Sequence, residues 1–218
     1  MPLLTNLLGL PAVVWIAIVV SIVALVLIAV VKELNTREIS VIAVLVSTCL
    51  ASNYALIWLP NVKVMDLIVF VSGLQFGASI GGIVAILVWA IYGSINPYGF
   101  VLPIWVGCMV AESLFGVTGG LIGAWIQRGS LSCRKLSWEM AIVGFLLTFV
   151  YDLFTNVLSA ITISWFETSL ETILLVIVSG IPFAAIHEVS NGILFLLGVG
   201  PISSSIQKIA GGGTDVSR

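Results

Sequence analysis

The chain has 218 residues, 60% of them hydrophobic and 8% charged, with a mean hydropathy of +1.24. Soluble domains carry about 25% charged residues, so there is too little charge here to cover a water-facing surface, and lipid must take that role. The net charge of −2 and the lack of a basic cluster argue against nucleic-acid binding, and three scattered cysteines with a single histidine argue against a structural zinc site.

A membrane-spanning helix needs about 20 apolar residues. In chain order, the apolar runs are Leu10–Val31, Ile39–Leu59, Val64–Ile95, Val101–Ile126, Trp138–Ile163 and Thr172–Val199. The first has 22 residues with no Lys or Arg before it, so it reads as a permanent span rather than a cleaved signal peptide. The third has 32 residues and reads either as one long helix or as two short ones, Val64–Phe76 and Gly77–Ile95. Charge separates the two readings. With seven spans and the N-terminus outside, Lys32, Arg37, Arg128, Arg134, Lys135, Lys208 and Arg218 face the cytoplasm, leaving only Lys63 outside. With six spans most basic residues fall outside, so the positive-inside rule favours seven. A helix over Val64–Phe76 is only about 20 Å long, so it must be enclosed by protein or extended by its flanking loops.

Small residues recur at helix spacing in three rows: Ala43, Ser47, Ala51; Gly73, Gly77, Gly81, Ala85; and Gly116, Gly120, Ala124. Such rows let helices approach closely, within the chain or against another membrane subunit. The segments Leu59–Lys63 and Ser94–Phe100 carry Pro and Asn turn signals. The domain reading is 1–37 for a first helix and loop, 38–200 for a six-helix core, and 201–218 for a flexible cytoplasmic tail.

Polar residues inside apolar spans carry the most information, because a charge at mid-membrane costs about 2.5–3.5 kcal/mol. They are Asp66, Glu112, Tyr151, Asp152, Thr155, Asn156, His187, Glu188 and Asn191. In the seven-span topology they converge on the outer half of the membrane. Asp152 and Asn156 share a helix face, as do His187 and Asn191. They read either as a cavity for a small polar molecule or as a self-satisfied structural network. The run His187-Glu188-Val189-Ser190-Asn191 has Asn where a zinc protease needs its second His, and no Walker A pattern occurs. No catalytic or metal-ligating residue is therefore expected, and no enzyme activity.

Three segments together resemble the S components, the substrate-specific subunits of energy-coupling-factor transporters. They are Pro60-Asn61-Val62-Lys63-Val64-Met65-Asp66; Phe149-Val150-Tyr151-Asp152-Leu153-Phe154-Thr155-Asn156, which is similar to a YDxxTN element; and His187-Glu188 with Asn191 and Phe195. The resemblance covers roughly residues 38–198. It implies an all-α integral membrane protein with a six-helix core, to which Leu10–Val31 adds one N-terminal transmembrane helix. It further implies capture of a vitamin or related micronutrient from outside a prokaryotic cell, near loops 59–65 and 94–103. Asn61, Asp66, Asn96, Tyr98, Glu112, Tyr151, Asp152, Asn156, His187, Glu188 and Asn191 would bind the substrate. Ala43, Ser47 and Ala51 would dock on a membrane coupling subunit. Two cytoplasmic ATPases would consume the ATP, with no cofactor in this chain.

A rival reading is a stand-alone secondary transporter, proton-coupled through Asp152, Glu188 or His187. A third is an assembly protein without a ligand. The ligand itself is not specified. Acidic residues around the cavity point to a ligand with donors or positive charge, and Trp58, Tyr92, Tyr98, Trp105 and Tyr151 offer faces for a flat ring.

Overall fold

The computed structural model describes residues 34–95, 101–127, 136–163 and 169–211, together with Ser21. The first helix expected at Leu10–Val31 lies outside these residues, as do Asn96 and Tyr98. Six helices and no strands are described: α1 Thr36–Ala55, α2 Val64–Phe76, α3 Ala78–Ile95, α4 Leu102–Gln127, α5 Leu136–Ile163 and α6 Leu170–Gly211. All but α2 are long and apolar enough to cross a membrane.

Each boundary has a local cause. Asn35 caps α1, its Oδ1 accepting from the backbone N–H of Arg37 and of Glu38, both at 3.0 Å. The Glu38 carboxylate accepts in return from the Asn35 N–H at 2.9 Å, closing a capping box. Between α2 and α3 the chain turns at Gly77, whose φ of 95° a residue with a side chain adopts only under strain. The 32-residue apolar run is therefore two helices, divided at the glycine where the charge argument divides it.

The short α2 sits at the centre of the bundle. Every residue from Met65 to Leu74 is buried, so the body of this helix meets protein instead of lipid. It contacts α1, α3, α4 and α6. Two of the small-residue rows form its seam. A Cβ added at Gly73 or Gly81 would run into the backbone of Gly116, and one at Gly119 or Gly123 into the backbone of Phe70 or Leu74. Glycine is required along this seam because main chain packs against main chain. The row Ala43, Ser47, Ala51 behaves differently and lies exposed on α1, while Ile42, Val46, Cys49 and Asn53 turn inward. Ser47 Oγ donates to its own helix at Ala43 O, so this face presents no unpaired hydroxyl hydrogen.

Helices α5 and α6 pack along one another and carry much of the exposed apolar surface. Phe145, Phe149, Leu153 and Phe154 of α5, and Leu175, Val178, Ile181 and Val189 of α6, face outward. Trp58 and Trp138, each 73% exposed, sit near opposite ends of the bundle, where indoles favour the membrane–water boundary. The tail expected to begin at 201 is corrected in part, since residues 201–211 continue α6. Pro201 removes one N–H donor, but Ile202 and Ile206 pack on the core beyond it and hold the helix on course.

Adjacent glycines on α3 should respond oppositely to a methyl group. Gly81→Ala puts its Cβ against Gly116 and Gly73 backbone and should cost about 1–3 kcal/mol. Gly82→Ala meets only a Val117 methyl at 3.8 Å and should be neutral or stabilise by up to about 1 kcal/mol. Thermal unfolding of both variants in detergent checks this.

Candidate functional site

The buried polar groups assemble around His187. Its position on α6 places the ring between α2 and α5, 1% exposed. Its Nε2 lies 2.7 Å from Asp66 Oδ2, and its Nδ1 lies 3.0 and 3.1 Å from the two Asp152 oxygens. An ionised carboxylate can only accept, so each contact needs one proton between nitrogen and oxygen. Two protons shared by one imidazole and two aspartates leave the trio with net charge −1, wherever each proton resides.

Asn191, one helical turn beyond His187, completes the cluster. Its Nδ2 donates to Asp66 Oδ2 at 2.6 Å and to Thr148 Oγ1 at 2.8 Å, using both hydrogens. Thr148 Oγ1 in turn donates a hydrogen bond to Gly144 O at 2.7 Å. Thr148 and Asp152 are four residues apart on α5, as His187 and Asn191 are on α6, so two helix faces meet polar to polar. Tyr151 stands edge-on to the His187 ring, their centroids 5.8 Å apart. Glu112 on α4 is fully buried nearby and accepts one hydrogen bond, from Trp89 Nε1 at 3.3 Å.

Above this cluster lies a cavity of about 440 Å³. The turn from Leu56 to Lys63 forms one wall, the ends of α3 and α4 form another, and Phe183 of α6 stands at its edge. Asn61 ties wall to helix. Its φ of 54° suits an asparagine, and its Nδ2 donates to Phe183 O at 3.2 Å. Trp89, Tyr92 and Trp105 supply aromatic lining, with Asn53, Cys108 and Lys63 as the polar or soft groups. Among the described residues, no Asp or Glu lines it.

Lys63 connects the two layers. Its Nζ lies 5.1 Å from the Trp89 ring centre and 5.3 Å from that of Tyr151, in cation–π geometry. Burial works against its charge, but the surrounding acidic groups, Asp66 foremost, prevail and hold its pKa above the ordinary lysine value. Added to the histidine trio, the ammonium brings the formal sum to zero. The ion pairs among the described residues are those made by His187.

The residues singled out from sequence therefore separate into groups. Asp66, Glu112, Tyr151, Asp152, His187 and Asn191 come together beneath the cavity, and Asn61 lines it. Asn156 and Glu188 lie instead along a lateral groove of about 220 Å³ between α5 and α6, which Asp152 also borders. Asn156 packs there against Gly180, where no side chain intervenes. Among the aromatics, Tyr92 and Trp105 line the cavity, while Trp58 faces outward.

Asn53, Trp89, Cys108 and Phe183 were not expected as lining residues nor Thr148 as a network member, and Lys63, placed outside and within the Pro60–Asp66 segment, was given no lining role. Trp89 with Tyr92 and Gly93, and Thr148 with Asp152, share helix faces and were findable by spacing. Among the described residues no cluster of His, Cys, Asp and Glu could hold a metal ion. No family model matches the chain, and no curated protein or solved structure is significantly similar to it.

Removing the imidazole should leave two buried carboxylates without a shared partner. His187→Ala is expected to destabilise the protein by about 3–5 kcal/mol, and adding Asp152→Asn should recover part of that loss. A denaturation series in detergent measures both, and a change below about 0.5 kcal/mol for His187→Ala would mean the trio carries no structural weight.

Proposed function

We propose that this chain is the substrate-binding membrane subunit of an energy-coupling-factor importer, which captures a vitamin or related micronutrient outside a prokaryotic cell. The observation that carries the reading is the 440 Å³ cavity, walled by the 56–63 turn and floored by a buried cluster of paired polar groups. A cavity of this size suits one small organic ligand. The three segments that resemble S components supply Asn61 at its wall, and Asp66, Tyr151, Asp152, His187 and Asn191 beneath it.

In this reading the N-terminus faces out, the C-terminus faces the cytoplasm and the cavity end faces outward. The first helix, Leu10–Val31, adds a seventh span to the six-helix core. The exposed, self-satisfied face of Ala43, Ser47 and Ala51 would meet the membrane coupling subunit, and two ATPases would supply the energy. A smooth face suits repeated docking and release. The chain acts as a binding protein, with no catalytic residue and no cofactor of its own.

One feature favours a second reading. His187 between Asp66 and Asp152, with Glu188 and Asp152 on the lateral groove, is also the chemistry of a proton relay in a stand-alone secondary transporter.

Capture at high affinity should be visible without knowing the cargo. Mass spectrometry of small molecules released from the purified protein is expected to find one compound at near-stoichiometric amount. Trp89→Ala, which removes an aromatic wall and a Lys63 contact, should reduce its retention at least about tenfold. Wild-type protein that carries no compound, prepared from cells grown in rich medium, would count against the capture reading.

A further inference from the structure

The cavity lining specifies more than size. Two of its polar groups lack partners of opposite kind. The Lys63 ammonium is a three-donor cation. It rests over two aromatic rings, and among the described residues no carboxylate is paired with it. Asn53 is 5% exposed, and its Nδ2 donates to Met65 Sδ while its Oδ1 has no partner among the described residues. Both residues line the same cavity. A buried polar group without a partner is costly, so an occupant that supplies an acceptor to Lys63 and a donor to Asn53 gains from both.

The walls restrict shape as well. Trp105 donates its indole N–H to Trp89 O at 2.9 Å, and Trp89 donates its own to Glu112 at 3.3 Å. Both indoles are thereby held in position with their N–H groups directed into the protein. Gly93 permits this seating, since a Cβ there would strike the Trp105 ring. Tyr92 meets Trp89 edge-to-face, with ring centres 5.6 Å apart and an angle of 75°. Fixed indoles present faces and edges instead of donors, and flat faces are matched by a flat ring.

Charge selects among flat rings. Asp66, Asp152 and Glu112 lie behind the lining, and among the described residues Lys63 is the one charged residue that lines the cavity. The acids keep the ammonium charged, and their own hydrogen bonds run to His187, Asn191 and Trp89. An anionic ligand gives Lys63 the acceptor it lacks, and a cationic one cannot.

Resting on the capture reading above, we infer that the cavity takes a planar aromatic or heteroaromatic compound bearing a carboxylate for Lys63 and an N–H or O–H donor for Asn53. This keeps the donor but reverses the preference for positive charge that the acidic residues alone would imply.

Thermal unfolding of the purified full-length protein, titrated with matched probes, tests the inference. Four sets are compared: quinoline and pyridine carboxylates, the carboxamides of the same rings, their aminomethyl analogues, and cyclohexane carboxylates. The planar carboxylates should raise Tm most and bind at least about tenfold more tightly than the carboxamides. Lys63→Met should erase that difference, while Lys63→Arg keeps part of it; the wild-type ranking stands as a test even where a variant folds poorly. Stronger stabilisation by aminomethyl rings, or equal stabilisation by cyclohexane carboxylates, overturns the inference and leaves the capture reading intact. If no probe shifts Tm, the compound released from the purified protein decides. A planar acid upholds the inference and any other structure overturns it. A protein that neither responds to a probe nor releases a compound removes the capture reading and this inference with it.

Discussion

An imidazole held on both ring nitrogens by carboxylates, inside an apolar bundle, is the constraint on which the arrangement of helices depends. Asp66 comes from α2, Asp152 from α5 and His187 from α6, so the trio ties three helices at one depth. None of the three side chains could be buried alone without a large desolvation cost. Together they need each other's geometry, and this fixes the rotation of each helix about its axis. Asn191 and Thr148 extend the tie by one turn. The short α2 depends on it most. Only 13 residues long, α2 cannot span lipid, and it is held centrally by the glycine seam on one side and by Asp66 on the other.

This division of labour places the carboxylates in the floor and the aromatics in the walls. The acidic residues stabilise the bundle and maintain the charge of Lys63, and Lys63 is what the cavity meets. A cavity assembled this way has its polar element held in place, because the ammonium is positioned by rings and neighbouring acidic groups. Asn61 adds the link between the cavity wall and α6 through the Phe183 carbonyl. A change in the angle of α6 and a change in the wall are thereby mechanically connected at that hydrogen bond.

Much of the fold could be read from residue order. Apolar run lengths and basic-residue bias located the helices and the division of the Val64–Ile95 run, because lipid imposes both rules directly. The polar residues inside spans located the cluster, since an unpaired polar group in hydrocarbon is too costly to be incidental. What escaped was direction. Glu188 is next to His187 in sequence, yet faces the α5–α6 groove, because a 100° step per residue turns it away from the His187 face. Asn156 does share the Asp152 face, but that face borders the groove, and one turn beyond Asp152 it packs against Gly180. The inward turn of Lys63 was not legible because its charge and loop position both match a solvent-facing residue; only the rings of Trp89 and Tyr151, on other helices, converge on it. The continuation of α6 beyond Pro201 was hidden for a related reason. A proline is a local stop signal, and the packing of Ile202 and Ile206 that overrides it is tertiary.

Capture for an energy-coupled complex and proton-driven transport by this chain alone use the same buried groups, and they differ in where the energy enters. The most direct measurement is uptake of the co-purifying compound by cells that express this chain, with and without the coupling subunit and its ATPases, in the presence and absence of a protonophore. The account predicts uptake that is lost when the ATPases are removed and persists through protonophore treatment while cellular ATP is maintained. Uptake that continues without the ATPases and collapses with the protonophore would contradict it.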